Sequence, residues 1–179
     1  MLLTVGKSWF AKLFHSPPGG VAKKLLADAK SGDAQAQFNL GLSFSNRPDF
    51  EQAAHWYLEA ANQDHANAQF ALGVMLADGR GVPQDAAKAL IWFGKAARLG
   101  CSEAQREMGL RCRRASFKET PQVALESTLE AYKWFRLASV QGCKGSEAEF
   151  ERLAISMTQE QVTEGNHRVA TFLASVKEL

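Results

Sequence analysis

Side chains able to act as nucleophiles, general acids or metal ligands are few and scattered in this chain. Histidine occurs at positions 15, 55, 65 and 167, and cysteine at 101, 112 and 143. There is no H-E-x-x-H, no pair of histidines four apart and no C-x-x-C, so the spacings that gather a zinc ion are missing. Cys101 and Cys112 are expected near opposite ends of one helix. At about 1.5 Å per residue they stand roughly 16 Å apart, beyond the reach of a disulfide. No G-x-S-x-G, phosphate-binding loop or strand-linked G-x-G-x-x-G is present either. These residues nominate no catalytic group, metal or cofactor. The expectation is a non-enzymatic protein with reduced thiols in the cytoplasm.

The most distinctive polar feature is the run Arg106, Arg111, Arg113, Arg114 and Lys118, in which Glu107 is the one acid between 105 and 118. Two uses fit it. It can be a solvated helix face, or Arg106, Arg113 and Arg114 can grip acidic side chains or a C-terminal carboxylate of a partner through bidentate contacts. Nucleic acid is not expected, because Phe117 alone offers a ring beside the run, and 21 basic against 19 acidic residues give no general field. Arg113-Arg114-Ala115-Ser116 also has the form of a basophilic kinase target, which makes Ser116 a candidate for modification.

The elements that must carry these residues repeat. Ala-x-x-Trp-aromatic-x-x-Ala occurs as Ala53, Trp56, Tyr57, Ala60, as Ala89, Trp92, Phe93, Ala96, and as Ala131, Trp134, Phe135, Ala138. From Trp56 to Trp92 is 36 residues and from Trp92 to Trp134 is 42. That period, with two helical patterns per unit, predicts an all-α solenoid. In the central unit Ala68, Leu72 and Leu76 form one buried row, and Gly73 allows close approach of the partner helix. Gly79 is placed to end that helix in a left-handed conformation, and Gly100 to end the next. Asp33 and Asp85 are N-cap candidates, and Ser102-x-x-Gln105, Ser146-x-x-Glu149 and Thr158-x-x-Gln161 have capping-box form. The spacing and the alanine register assign all three tryptophans to the core, at about 3–5 kcal/mol each on truncation to Ala.

The units are expected at about 33–65, 66–100 and 101–145, after a capping half-unit at 21–32 in which Lys24 fills the Trp position. The first turn is short, and the third unit carries about six extra residues near Phe117 to Glu126. A last first-type helix with Ala148 and Leu153, then a longer polar helix, form the C-terminal cap at 146–179. Residues 16–20, Ser-Pro-Pro-Gly-Gly, read as a linker. Before it, Leu2, Val5, Trp9, Phe10, Leu13 and Phe14 share one face of a helix over 1–15. That segment lacks the form of a secretory signal and is too short to span a bilayer. Two roles fit it: covering the open end of the array, or anchoring the chain on a membrane surface.

Ala-x-x-x-Leu-Gly on the first helix, Gly79-x-Gly81-Val82-x-x-Asp85 in the turn and Ala-x-x-Trp-Phe-x-x-Ala-Ala-x-x-Gly on the second resemble the Sel-like repeat, a branch of the tetratricopeptide-type solenoids. The start of the last helix, Met157-Thr158-x-Glu160-Gln161, is similar to the C-terminal helix of bacterial members. The resemblance implies a protein-interaction scaffold in which first helices line a concave groove that holds a partner protein or peptide. Carried onto this chain, the groove residues are Gln35, Phe38 and Leu42, then Asn67, Phe70 and Val74, then Arg106, Leu110, Arg113 and Arg114.

Overall fold

The computed structural model describes residues 19–116 and 120–177. Among them are nine helices and no strand. In chain order they are α1 (Gly19–Lys30), α2 (Ala34–Ser45), α3 (Phe50–Ala61), α4 (Ala66–Asp78), α5 (Ala86–Arg98), α6 (Ser102–Ser116), α7 (Pro121–Val140), α8 (Ser146–Ser156) and α9 (Gln159–Lys177). The amphipathic segment 1–15, Phe117 and Lys118 lie outside the described residues. Of the expected linker, Gly19 and Gly20 instead form the first turn of α1. First-turn amides need no intrahelical acceptor, so two glycines are tolerated there.

The chain divides after Asp85 into two compact units. In the first, α1 packs on α2, α2 on α3 and α3 on α4. Asp33 caps α2 as expected, accepting from the Ala36 amide at 2.6 Å, and Asp49 caps α3. Gly79 closes α4 at φ +69° and donates its N–H to Met75 O. Gly81 is left-handed too, and any Cβ there would run into the backbone at Phe50, so the turn is seated on the start of α3. Both conditions require glycine.

In the second unit α6 packs on α5 and on α7, and α7 holds α8 and α9. The inserted residues near 117–126 lengthen a helix more than a turn. α7 has 20 residues against 12 in α3 and 13 in α5, and Pro121 starts it without loss of a helix bond. α9 docks through Gly165, where a Cβ would lie 2.5 Å from the Tyr132 ring, through Tyr132 Oη donating to Asn166 Oδ1 at 3.0 Å, and through the Trp134–Phe172 edge contact. Arg168 then forks onto Glu126 and reaches back to Glu164. Thr158 and Gln161 cap α9 reciprocally, as their spacing predicts.

The core corrects the role given to tryptophan. Tyr57, Phe93 and Phe135, the second aromatic of each pair, are buried, whereas Trp56 and Trp92 are half-buried and only Trp134 is fully inside. The reason is the glycine of the first helix. A Cβ on Gly41 would stand 2.6 Å from the Tyr57 ring and one on Gly109 2.8 Å from the Phe135 ring, so each glycine makes a slot for the second ring. Trp92 sits one position round the helix, with Lys95 Nζ over it at 4.4 Å.

Two of the three expected capping boxes are something else. Gln105 does not cap α6. It is one of three buried glutamines, Gln37, Gln69 and Gln105, whose Nε2 donates at 3.1 Å to the carbonyls of Ala29, Ala61 and Ala97. Each bond ties a first helix to the end of the helix before it. The clamp is completed twice: Gln63 Nε2 donates to Gln37 Oε1 at 2.7 Å, and Gln141 Nε2 to Gln105 Oε1 at 2.8 Å. Leu99 holds the matching position of the central repeat, and Gln69 Oε1 has no hydrogen-bond partner among the described residues. Ser146 does not cap α8 either: Gly145 is the cap residue, Ser146 is buried, and Glu149 pairs with Arg113. Ala148 is exposed, and the ring of Phe150, 5.0 Å from Tyr132, makes the contact to α7.

Candidate partner-binding surface

In the first unit, α2 presents exposed Gln35 with half-buried Phe38 and Leu42, and α4 presents exposed Asn67 with half-buried Phe70 and Val74. Phe38/Leu42 and Phe70/Val74 are i, i+4 pairs, so each helix offers an apolar strip along one flank. His65 ties the two helices together. Its ring stacks on Phe38 at 4.8 Å, its Nε2 donates to Gln35 Oε1 at 3.2 Å, and its Nδ1 accepts the Ala68 amide at 3.2 Å, which caps α4. Those two bonds set the tautomer with the proton on Nε2. Burial lowers the His65 pKa, in keeping with a neutral ring. Sequence reasoning asked only whether His65 could bind metal. Its cap position, three residues before Ala68, was the readable signal.

In the second unit, Leu110 and Arg106 are half-buried on α6, and Arg114 is exposed. Arg106 lies beside the α8 cap, where a Cβ on Gly145 would be 3.8 Å from its Nε. Arg113 is ion-paired with Glu149, which also has Arg152 at 3.9 Å. Arg111 pairs with Glu107 at 3.1 Å and its guanidinium lies 5.0 Å from the Phe93 ring centre. Two arginines of the run are therefore engaged inside their own unit. Arg106 and Arg114 have no carboxylate partner among the described residues.

Burial pushes the thiols of Cys101 and Cys112 up to about 11, which keeps them protonated and unreactive. Tyr57 is likewise pushed up to about 12 by burial. No cluster of three or more His, Cys, Asp or Glu able to hold a metal occurs among the described residues. No described helix is long and apolar enough to cross a membrane.

Paired helices at a period near 36 residues, glycine slots for aromatic rings and a half-open apolar flank on first helices define a helical-repeat protein. The Sel1 repeat matches residues 34–65, 66–101 and 102–143, more than half of the chain, and the protein belongs to the Sel1 repeat family. Proteins of this repeat are generally non-catalytic interaction scaffolds. The chain is similar in structure to a protective antigen of uropathogenic Escherichia coli with an SLR fold, at 26% identity and a TM-score of 0.71 over 94% of this chain and 37% of that one. It is similar to a Sel1 repeat protein from Oxalobacter formigenes at 28% identity and a TM-score of 0.60, over 74% of this chain and 98% of that one. In sequence it is 29% identical over 135 residues to chitin synthase regulatory factor 3 of Schizosaccharomyces pombe, of which it spans 14%.

Proposed function

We propose that this protein is a non-catalytic scaffold that holds a partner protein segment against the first-helix flank of its N-terminal unit. The observation that carries this is the pair of apolar strips on one unit: α2 keeps Phe38 and Leu42, and α4 keeps Phe70 and Val74, half-buried outside their own buried rows of Ala36 and Leu40 and of Ala68 and Leu72. Half-open apolar side chains beside the exposed Asn67 amide suit an extended or helical segment, since the apolar contacts give affinity and the amide serves its backbone. In the second unit Arg106 and Arg114 favour acidic groups on a partner.

A photo-crosslinking residue placed at 42, at 74 and, as a control, at exposed Glu59 tests the proposal in cells. Positions 42 and 74 should capture the same protein and position 59 should not. Equal capture from all three positions, or none from 42 and 74, sinks it. The spacing of apolar residues in the sequence of 1–15 supports a separate proposal, a membrane-surface role. Liposome co-sedimentation of the full chain beside one beginning at Ser16 decides it, and equal binding refutes the anchor.

A further inference from the structure

A second surface, on the C-terminal unit, has a different character. Between the ends of α5 and α7 and the last turns of α9 lies a cleft of about 270 Å³. Val140, Val169, Phe172, Leu173 and Val176 wall it, and Arg98 is its one charged lining residue. Gln105 and Gln141 also line it, but their amides are engaged with each other. The rim is open to solvent: Val140 is 73% exposed and Leu173 48%, and Leu99, next to Arg98 in the chain, is 45% exposed. A contiguous apolar rim of this kind marks a binding site more often than a bare surface.

The charge at the cleft says what fits. No described carboxylate pairs with Arg98, whereas Arg111, Arg113 and Arg168 in the same unit each have one. We propose that the cleft is a docking site for an acidic amphipathic segment of a partner protein, with one apolar side chain between α7 and α9 and a neighbouring Asp or Glu on Arg98. The apolar insertion anchors the segment, and the ion pair on the rim selects its charge. This site is independent of the first-helix flank, whose residues belong to the other unit.

Val140 and Arg98 are exposed, so both can be changed without disturbing the core. The test is a displayed library of random twelve-residue peptides selected on the full chain and counter-selected on Val140→Asp. Enriched peptides should pair Leu or Phe with an acid within one helical turn. Chosen peptides, made synthetically and measured by fluorescence anisotropy, should bind Arg98→Glu about five- to tenfold more weakly, the order for an exposed ion pair turned into a like-charge contact. A Lys-for-Glu peptide should regain affinity on Arg98→Glu. Leu42→Glu with Val74→Glu should leave this binding unchanged, which separates the cleft from the first-helix flank. No enrichment, or enriched peptides without acids, overturns the proposal. So does a dimer in sedimentation, or binding to anionic vesicles, that Val140→Asp abolishes, because the cleft would then serve a second copy or a lipid surface.

Discussion

Replacing Gln105 by Leu removes a buried donor while keeping a side chain of similar reach. In the structure Gln105 Nε2 donates to Ala97 O at 3.1 Å, and Gln105 Oε1 accepts from Gln141 at 2.8 Å. Ala97 is fully buried and its carbonyl keeps only the Gly100 amide at 3.2 Å, so losing the Gln105 bond costs about 1 kcal/mol. Gln141 is exposed and turns to solvent with little loss. The matched change Gln69→Leu likewise removes a side-chain bond to a carbonyl, that of Ala61, which keeps the Asp64 amide, and a bond to exposed Asp64 Oδ1, but it also deletes Gln69 Oε1, a buried acceptor with no partner among the described residues. Removing that desolvated atom offsets much of the loss. Gln105→Leu should therefore destabilise more than Gln69→Leu, by up to about 1 kcal/mol. Urea unfolding of the full chain reads the difference as a shift in midpoint at unchanged slope. If Gln69→Leu proved equally or more damaging, the clamp reasoning would be wrong.

Three further outcomes follow from the packing. Phe135→Ala should cost about 3–5 kcal/mol and Trp92→Ala clearly less, as denaturant titration of the two variants will show. Gly109→Ala gains about 1 kcal/mol of helix propensity yet should lower Tm, because its Cβ would fall 2.8 Å from the Phe135 ring. The His65 pKa is lowered by burial, so its contribution is whole above the unfolded value, about 6.5, and is lost as pH falls through the lower folded value. His65→Asn keeps a capping side chain and should flatten the dependence of Tm on pH between about 7 and 5.

Much of this was legible in the chain. The Trp-aromatic and Leu-Gly registers, Asp33, Gly79 and the Thr158–Gln161 pair are local signals, and local physics decides them. The errors came from residues whose partners lie far away in sequence. Gln105 stands where a capping box would put it, yet its bonds go back to Ala97 and forward to Gln141. The signal was present, since Ala-Gln recurs at 36–37, 68–69 and 104–105 on a buried row. Arg113 read as available because Glu149 is 36 residues on, and helical periodicity carries no information at that range. Tryptophan was given the core position by its helical spacing with the flanking alanines. The glycine slot decides otherwise, by admitting the ring one place further along the helix.

The central claim is that the first-helix flank of the N-terminal unit binds protein. Its most direct test is the affinity of the protein captured from positions 42 and 74, measured by calorimetry on wild type and on Val74→Glu. Circular dichroism on both chains serves as the check of fold. The account predicts that affinity falls at least about tenfold while helicity is unchanged, as for a charge buried without a partner in an apolar contact. An affinity equal to wild type on a folded Val74→Glu chain would contradict it.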